Sequence, residues 1–95
     1  IIVRRIGKGR SVLAPASLPL ETLPVHRRAT ITDIAWDRLA PPEARRLREF
    51  GFDVGVHVEI LHRAPLFRGP LACRIGRMTV ALRRGVASAI TVLTD

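Results

Sequence analysis

The chain has 95 residues, sixteen of them Lys or Arg and eight Asp or Glu, for a formal net charge of +8. That length suits one domain with one modest core, and a hydrophobic fraction of 47% excludes wholesale disorder. No apolar run approaches the roughly 18 to 20 residues that cross a bilayer as a helix. The single cysteine, Cys73, excludes an intrachain disulfide framework, which is compatible with a reducing cytoplasm.

Residues 1 to 17, IIVRRIGKGRSVLAPAS, carry Arg4, Arg5, Lys8 and Arg10 and no acid. Basic residues interrupt the apolar ones, so this is no secretory signal. Gly7, Gly9, Ser11, Pro15 and Ser17 break any sustained period. The stretch reads as a basic arm, 1–17, with at most a short strand at its first three residues. A domain from 18 to 95 follows. Its lead-in, Leu18-Pro-Leu-Glu-Thr-Leu-Pro24, is punctuated and partly apolar.

Arg28 to Ala35 is rich in Thr and Ile and reads as a first strand. Asp37 or a neighbour is the candidate cap of a helix opened by Pro41-Pro42, where a missing N–H costs nothing. Glu43 suits the positive end of the helix dipole. Ala44, Leu47 and Phe50 are spaced to share one face, and Gly51 is the expected left-handed residue just past the end. So short a helix is not stable alone and needs a sheet to pack on. Trp36 is a candidate cap on the end of that assembly, and Phe50 and Phe52 are candidate packing residues.

From Gly55 the period becomes two. Val56, Val58 and Ile60 fall on one face, with His57, Glu59 and Arg63 on the other. Ala64-Pro65 ends the run. Pro70 opens a further strand with Leu71, Cys73 and Ile75 inward. Gly76-Arg77 has the signature of a type II′ hairpin turn, after which Met78, Val80 and Leu82 alternate on a third strand. A single helical turn follows through Ser88, then a last strand with Ile90 and Val92. About five short strands and one short helix between the first two predict a mostly β fold, a small bent barrel.

The spacing of Arg46-Leu47, Glu49-Phe50-Gly51-Phe52, Gly55 and Val58 resembles the pattern R-L-x-E-[LF]-G-[LIF]-x-x-G-x-x-[VI] of the FeoA family. Arg63-Ala64-Pro65, Gly69-Pro70, Ala81-Leu82-Arg83, Ala87, Ile90 and Val92 continue the likeness over about residues 18 to 94. Two turn positions depart from it. Val25-His26 stands where many members have Pro-Gly, and Val54 where many have Pro. The resemblance implies an SH3-like barrel and a non-enzymatic, cytoplasmic accessory role in bacterial ferrous iron uptake. It also implies a protein partner, the FeoB-type transporter at the membrane. Within these 95 residues there is no room for the DNA-binding half of the iron-dependent repressors that share this domain, so a free-standing member of the family is expected.

The residues themselves offer little other chemistry. His57 and His62, five apart in a strand, are expected on opposite faces. His26 is remote, and Cys73 alternates inward as a small hydrophobe. No C-x₂-C or H-E-x-x-H occurs, so no metal or cofactor is expected. No nucleophile–base constellation or complete phosphate loop marks an enzyme. A basic barrel binding nucleic acid is the alternative. Its charge suits that role, but Trp36, Phe50, Phe52 and Phe67 are not interleaved with basic residues on a strand.

The candidate contact surface for a protein partner is Arg45, Arg46 and Arg48 on the helix, with Arg63, Pro65, Leu66, Phe67 and Arg68 at the following loop. Phe67 beside Arg68 has the composition of an interface anchor; the alternative is that Leu66 and Phe67 fold back into the barrel. The arginines serve either such a contact or a solvated face. Self-association is left open by the sequence.

Overall fold

The computed structural model describes the backbone of residues 2–6, 10–14, 16–64 and 69–95, and side chains from residue 16 onward within those ranges. Two strands, β1 (Ile2–Ile6) and β2 (Arg10–Ala14), pair antiparallel as a separate two-stranded sheet. The arm therefore contains a hairpin where its sequence suggests at most one short strand. The two glycines that look like breakers lie between two strands of equal length.

The remaining strands form one antiparallel sheet of six. They are β3 (Ser17–Pro19), β4 (Arg28–Ile34), β5 (His57–Arg63), β6 (Leu71–Ile75), β7 (Met78–Leu82) and β8 (Ile90–Thr94). The spatial order is β3-β8-β4-β5-β6-β7, so β3 and β7 are the two edges. The expected mostly β architecture holds, with six strands where about five are expected. The extra one is β3, whose three residues end at a proline and carry too little alternation to signal a strand.

One helix, α1 (Pro41–Glu49), is inserted between β4 and β5, as the sequence predicts. Ala40, not Asp37, is the residue before its first turn; Asp37 sits in a short 3-10 turn, Trp36–Arg38. The Ala40 N–H donates to Glu43 Oε1 at 3.4 Å, which satisfies one orphan donor of the first turn. The other end is closed by a Schellman motif. The Gly51 N–H donates to the Arg48 carbonyl at 3.1 Å and the Phe52 N–H to the Leu47 carbonyl at 2.9 Å. Gly51 takes φ +88°, which costs a residue without a Cβ little. Phe52 and Leu47, so brought together, are both buried. A second helical turn, α2 (Arg84–Ala87), joins β7 to β8.

Two β-bulges bend the sheet, between Ile31 and Asp33 in β4 and between Ile60 and His62 in β5. The second revises one expectation. Because the extra residue, Leu61, restarts the alternation, His62 pairs with Ala72 on the outer face, where Glu59 pairs with Arg74. His57 and His62 thus share a face. The core lies inside the bend, with Leu20, Leu23, Ile31, Leu47, Phe52, Ile60, Leu71, Cys73, Ile90 and Val92 nearly inaccessible. Of the alternating residues of β7, Val80 and Leu82 are buried, whereas Met78, next to the Gly76-Arg77 turn on an edge strand, is exposed. Gly76 has φ +57° and Arg77 has no positive φ, as a type II′ turn requires.

Candidate partner-docking surface

The apolar face of α1 does not meet the sheet along its whole length. Ala44 and Leu47 are buried, whereas Phe50, one turn further on, is half-buried. Between this end of the helix and the β7–α2 corner lies a cleft of about 230 Å³. Leu47, Phe50, Leu82 and Val86 give it an apolar floor, and Glu43, Arg46 and Arg83 stand at its rim. Arg83 Nη2 lies 2.8 Å from Glu43 Oε2, so an ion pair joins the residue just before α2 to α1 across the mouth. Both partners are solvated, the Arg83 side chain to 78%, so the pair contributes little to stability.

Of the sequence-predicted contact residues, Arg45, Arg46 and Arg48 are exposed on α1. The Arg46 guanidinium lies 5.6 Å from the Phe50 ring centre, which draws it to the cleft. That of Arg48 lies 4.3 Å from the Trp36 ring on the other side of the helix, beside a more open depression that includes Gly51, Phe52 and Asp53. Trp36 is half-buried against the core, near the position expected of a cap.

Arg63 has a different employment. It is half-buried, and its Nη2 donates to the carbonyls of Glu21 at 2.7 Å and Leu23 at 2.6 Å. It ties the end of β5 to the turn after β3, an internal clamp rather than a surface contact. Pro65, Leu66, Phe67 and Arg68 lie outside the described residues. The structure therefore brings Arg46 to the cleft, turns Arg48 away from it and spends Arg63 inside. Sequence reasoning missed Glu43, Leu82, Arg83 and Val86 as lining. They come from α1, β7 and the β7–α2 corner, and no local pattern in the sequence joins them.

Among the described residues no group of three or more His, Cys, Asp or Glu is placed to hold a metal ion. His57 Nδ1 lies 3.1 Å from Thr30 Oγ1 and His26 Nδ1 lies 3.7 Å from Glu59 Oε2, both at the surface. Burial pushes the Cys73 thiol up to about 11, partly offset by a backbone hydrogen bond at Glu59. At neutral pH it is a protonated core residue, not a thiolate ligand or nucleophile.

The sequence matches the FeoA domain model over residues 18–93. The chain belongs to the FeoA family. Among solved structures, the FeoA of Stenotrophomonas maltophilia is 33% identical, with a TM-score of 0.66, over 77% of this chain and 86% of that one. It was crystallised with zinc and is described as a procaryotic SH3 domain protein and a candidate activating factor of ferrous iron transport. The FeoA of Chlorobium tepidum is 31% identical, with a TM-score of 0.70, over 81% of this chain and 70% of that one. A manganese-dependent transcriptional repressor shares the fold at 24% identity and a TM-score of 0.73, over 96% of this chain and 48% of that one. No curated protein matches the sequence.

His26, in the turn before β4, adopts φ +67°. Histidine is among the residues with a Cβ that are enriched in this left-handed region.

Proposed function

We propose that this FeoA protein is a non-enzymatic accessory of ferrous iron uptake that docks on a FeoB-type transporter and modulates it from the cytoplasmic side. The observation that carries this reading is the cleft between α1 and the β7–α2 corner. Its floor is Leu47, Phe50, Leu82 and Val86, and two of its three charged rim residues are arginines. An apolar recess rimmed by Arg has the composition of an interface centre. Arg45 and Arg48 carry the basic surface around the helix away from the cleft, and the loop with Leu66, Phe67 and Arg68 is assigned to the same contact. The basic arm, of which Ala16 and Ser17 join the sheet, acts in this reading to draw the protein toward an acidic partner or an anionic leaflet. Among the described residues no helix is long and apolar enough to cross a membrane.

The test is capture of the cognate transporter from solubilised membranes on immobilised protein, at low and moderate salt, beside the Arg46→Glu and Phe67→Ala variants. Retention by the wild type and at least tenfold weaker retention by Arg46→Glu is the expected outcome. Nucleic acid captured in place of the transporter would turn the assignment to the polyanion-binding alternative, and its retention would fall steeply with salt.

A further inference from the structure

The two edges of the six-stranded sheet are unlike. Just ahead of β3, the Thr94 N–H of β8 donates to the Ala16 carbonyl at 3.0 Å. The pair after it by alternation is Leu18 with Val92, so the outward backbone of β3 belongs to Ser17 and Pro19. Pro19 has no N–H, which leaves Ser17 as that edge's one outward donor. Three residues ending in proline are a blunted edge.

Edge β7 has no such protection. Its two-residue turn makes Ile75 and Met78 a hydrogen-bonded pair, and the register continues through Cys73 with Val80 and Leu71 with Leu82. The N–H and C=O of Thr79 and Ala81 therefore point away from the sheet. Among the described residues neither has a hydrogen-bond partner, and both residues are exposed. The strand Met78-Thr79-Val80-Ala81-Leu82 contains no charge, no proline and no bulge. Natural sheets do not usually leave such an edge bare.

The charges around it select what would cover it. Pairing with a second copy, in the register that uses both Thr79 and Ala81, sets residue 79 against residue 81 of the copy. Arg77 then faces Arg83 of the copy at both ends of the ladder, and directly opposed like charges are destabilising. The same two arginines attract carboxylates. Ala81 and Leu82 also border the apolar cleft, with Arg46 on its far rim. An apolar cavity of about 150 Å³ holds a benzene ring, so a cleft of about 230 Å³ admits one large side chain.

We infer that β7 is a strand-addition site for an extended acidic segment of the protein partner. The segment pairs with the free backbone of Thr79 and Ala81, drops one aliphatic or aromatic side chain between Phe50 and Val86, and sets carboxylates on Arg77 and Arg83. Main-chain hydrogen bonds supply the affinity and the cleft and arginines the specificity, as in other sheet-edge recognition. The partner's carboxylate displaces Glu43 from Arg83. This inference rests on the docking function proposed above and specifies how the docking is made.

Hydrogen–deuterium exchange on the full chain, alone and with the solubilised transporter, tests it. In the complex the Thr79 and Ala81 amides should exchange at least tenfold more slowly than in the free protein. Ala81→Pro, which removes one outward donor, should weaken retention at least tenfold. Arg77→Glu/Arg83→Glu, which leaves the strand backbone intact, should do the same if Ala81→Pro fails to fold. Transporter bound with the Thr79 and Ala81 amides unprotected would overturn strand addition and leave the docking function standing. Transporter not bound by the wild type at either salt would overturn both.

Discussion

The sheet's two edges solve the same problem in opposite ways. At β3 the chain closes on itself. Ala16 is buried, its N–H donates to Thr94 Oγ1 at 2.9 Å, and its carbonyl accepts from the Thr94 N–H. At β7 the backbone ends in solvent beside a recess floored by core residues. The difference teaches where stability and where recognition are placed. The closed edge locks the first strand of the sheet to the last, and the open edge leaves a short, uncharged strand beside basic groups that can be matched by a partner.

The largest effect expected on this contrast comes from the helix that separates cleft from core. Leu47 is 1% exposed, so Leu47→Asp puts a charge against Phe52 and Leu82. It should cost about 4 kcal/mol or more and leave the chain unfolded. A melting temperature equal to that of the wild type would show the helix rotated from its assigned face.

Cys73 on β6 reports whether the open side is nevertheless dry. Burial raises its folded-state pKa from 9.0 to about 11. The native state then keeps the proton that the unfolded chain loses. Stability on this account is full below pH 9 and falls between about 9 and about 11, by on the order of 2 kcal/mol. Urea unfolding across that range should show the fall in the wild type and lose it in Cys73→Ala. A fall absent from both would mean that the thiol is wetted and the β6–β7 side frayed.

Smaller effects should follow at the edges themselves. Thr94→Val removes the acceptor for the buried Ala16 N–H and should cost about 1 to 3 kcal/mol in chemical denaturation. Thr79→Lys adds a charge at the open edge, where nothing is packed, and should move stability by no more than about 0.5 kcal/mol. Equal costs at the two positions would erase the contrast.

Much of this architecture was legible in the sequence. The helix between two strands followed from Pro41-Pro42, the three-residue spacing of its apolar positions and Gly51. The β6–β7 hairpin followed from Gly76-Arg77 between alternating runs. What was not legible has physical reasons. A bulge inserts one residue without a compositional mark, so the face of His62 could not be read from spacing. Strand β3 draws its identity from pairing with β8, seventy residues and more along the chain, as the Ala16–Thr94 bond at a separation of 78 illustrates. Arg63 looks like any surface arginine in sequence, and only the carbonyls of Glu21 and Leu23 around it reveal a clamp. The cleft is composed of residues from α1, β7 and α2 that no local motif unites. An edge strand is also not distinguishable from a central one by its own residues, so the open backbone of Thr79 and Ala81 emerges from the strand order alone.

The open edge at β7 is measured most directly by hydrogen exchange of the free, monomeric protein. The amides of Thr79 and Ala81 should exchange rapidly, while those of Val80, Leu82 and Leu18, each turned into the sheet, are slowed with the core. Protection of Thr79 and Ala81 equal to that of Val80 in the monomer would show the β7 edge already covered by the chain itself, and would contradict the account.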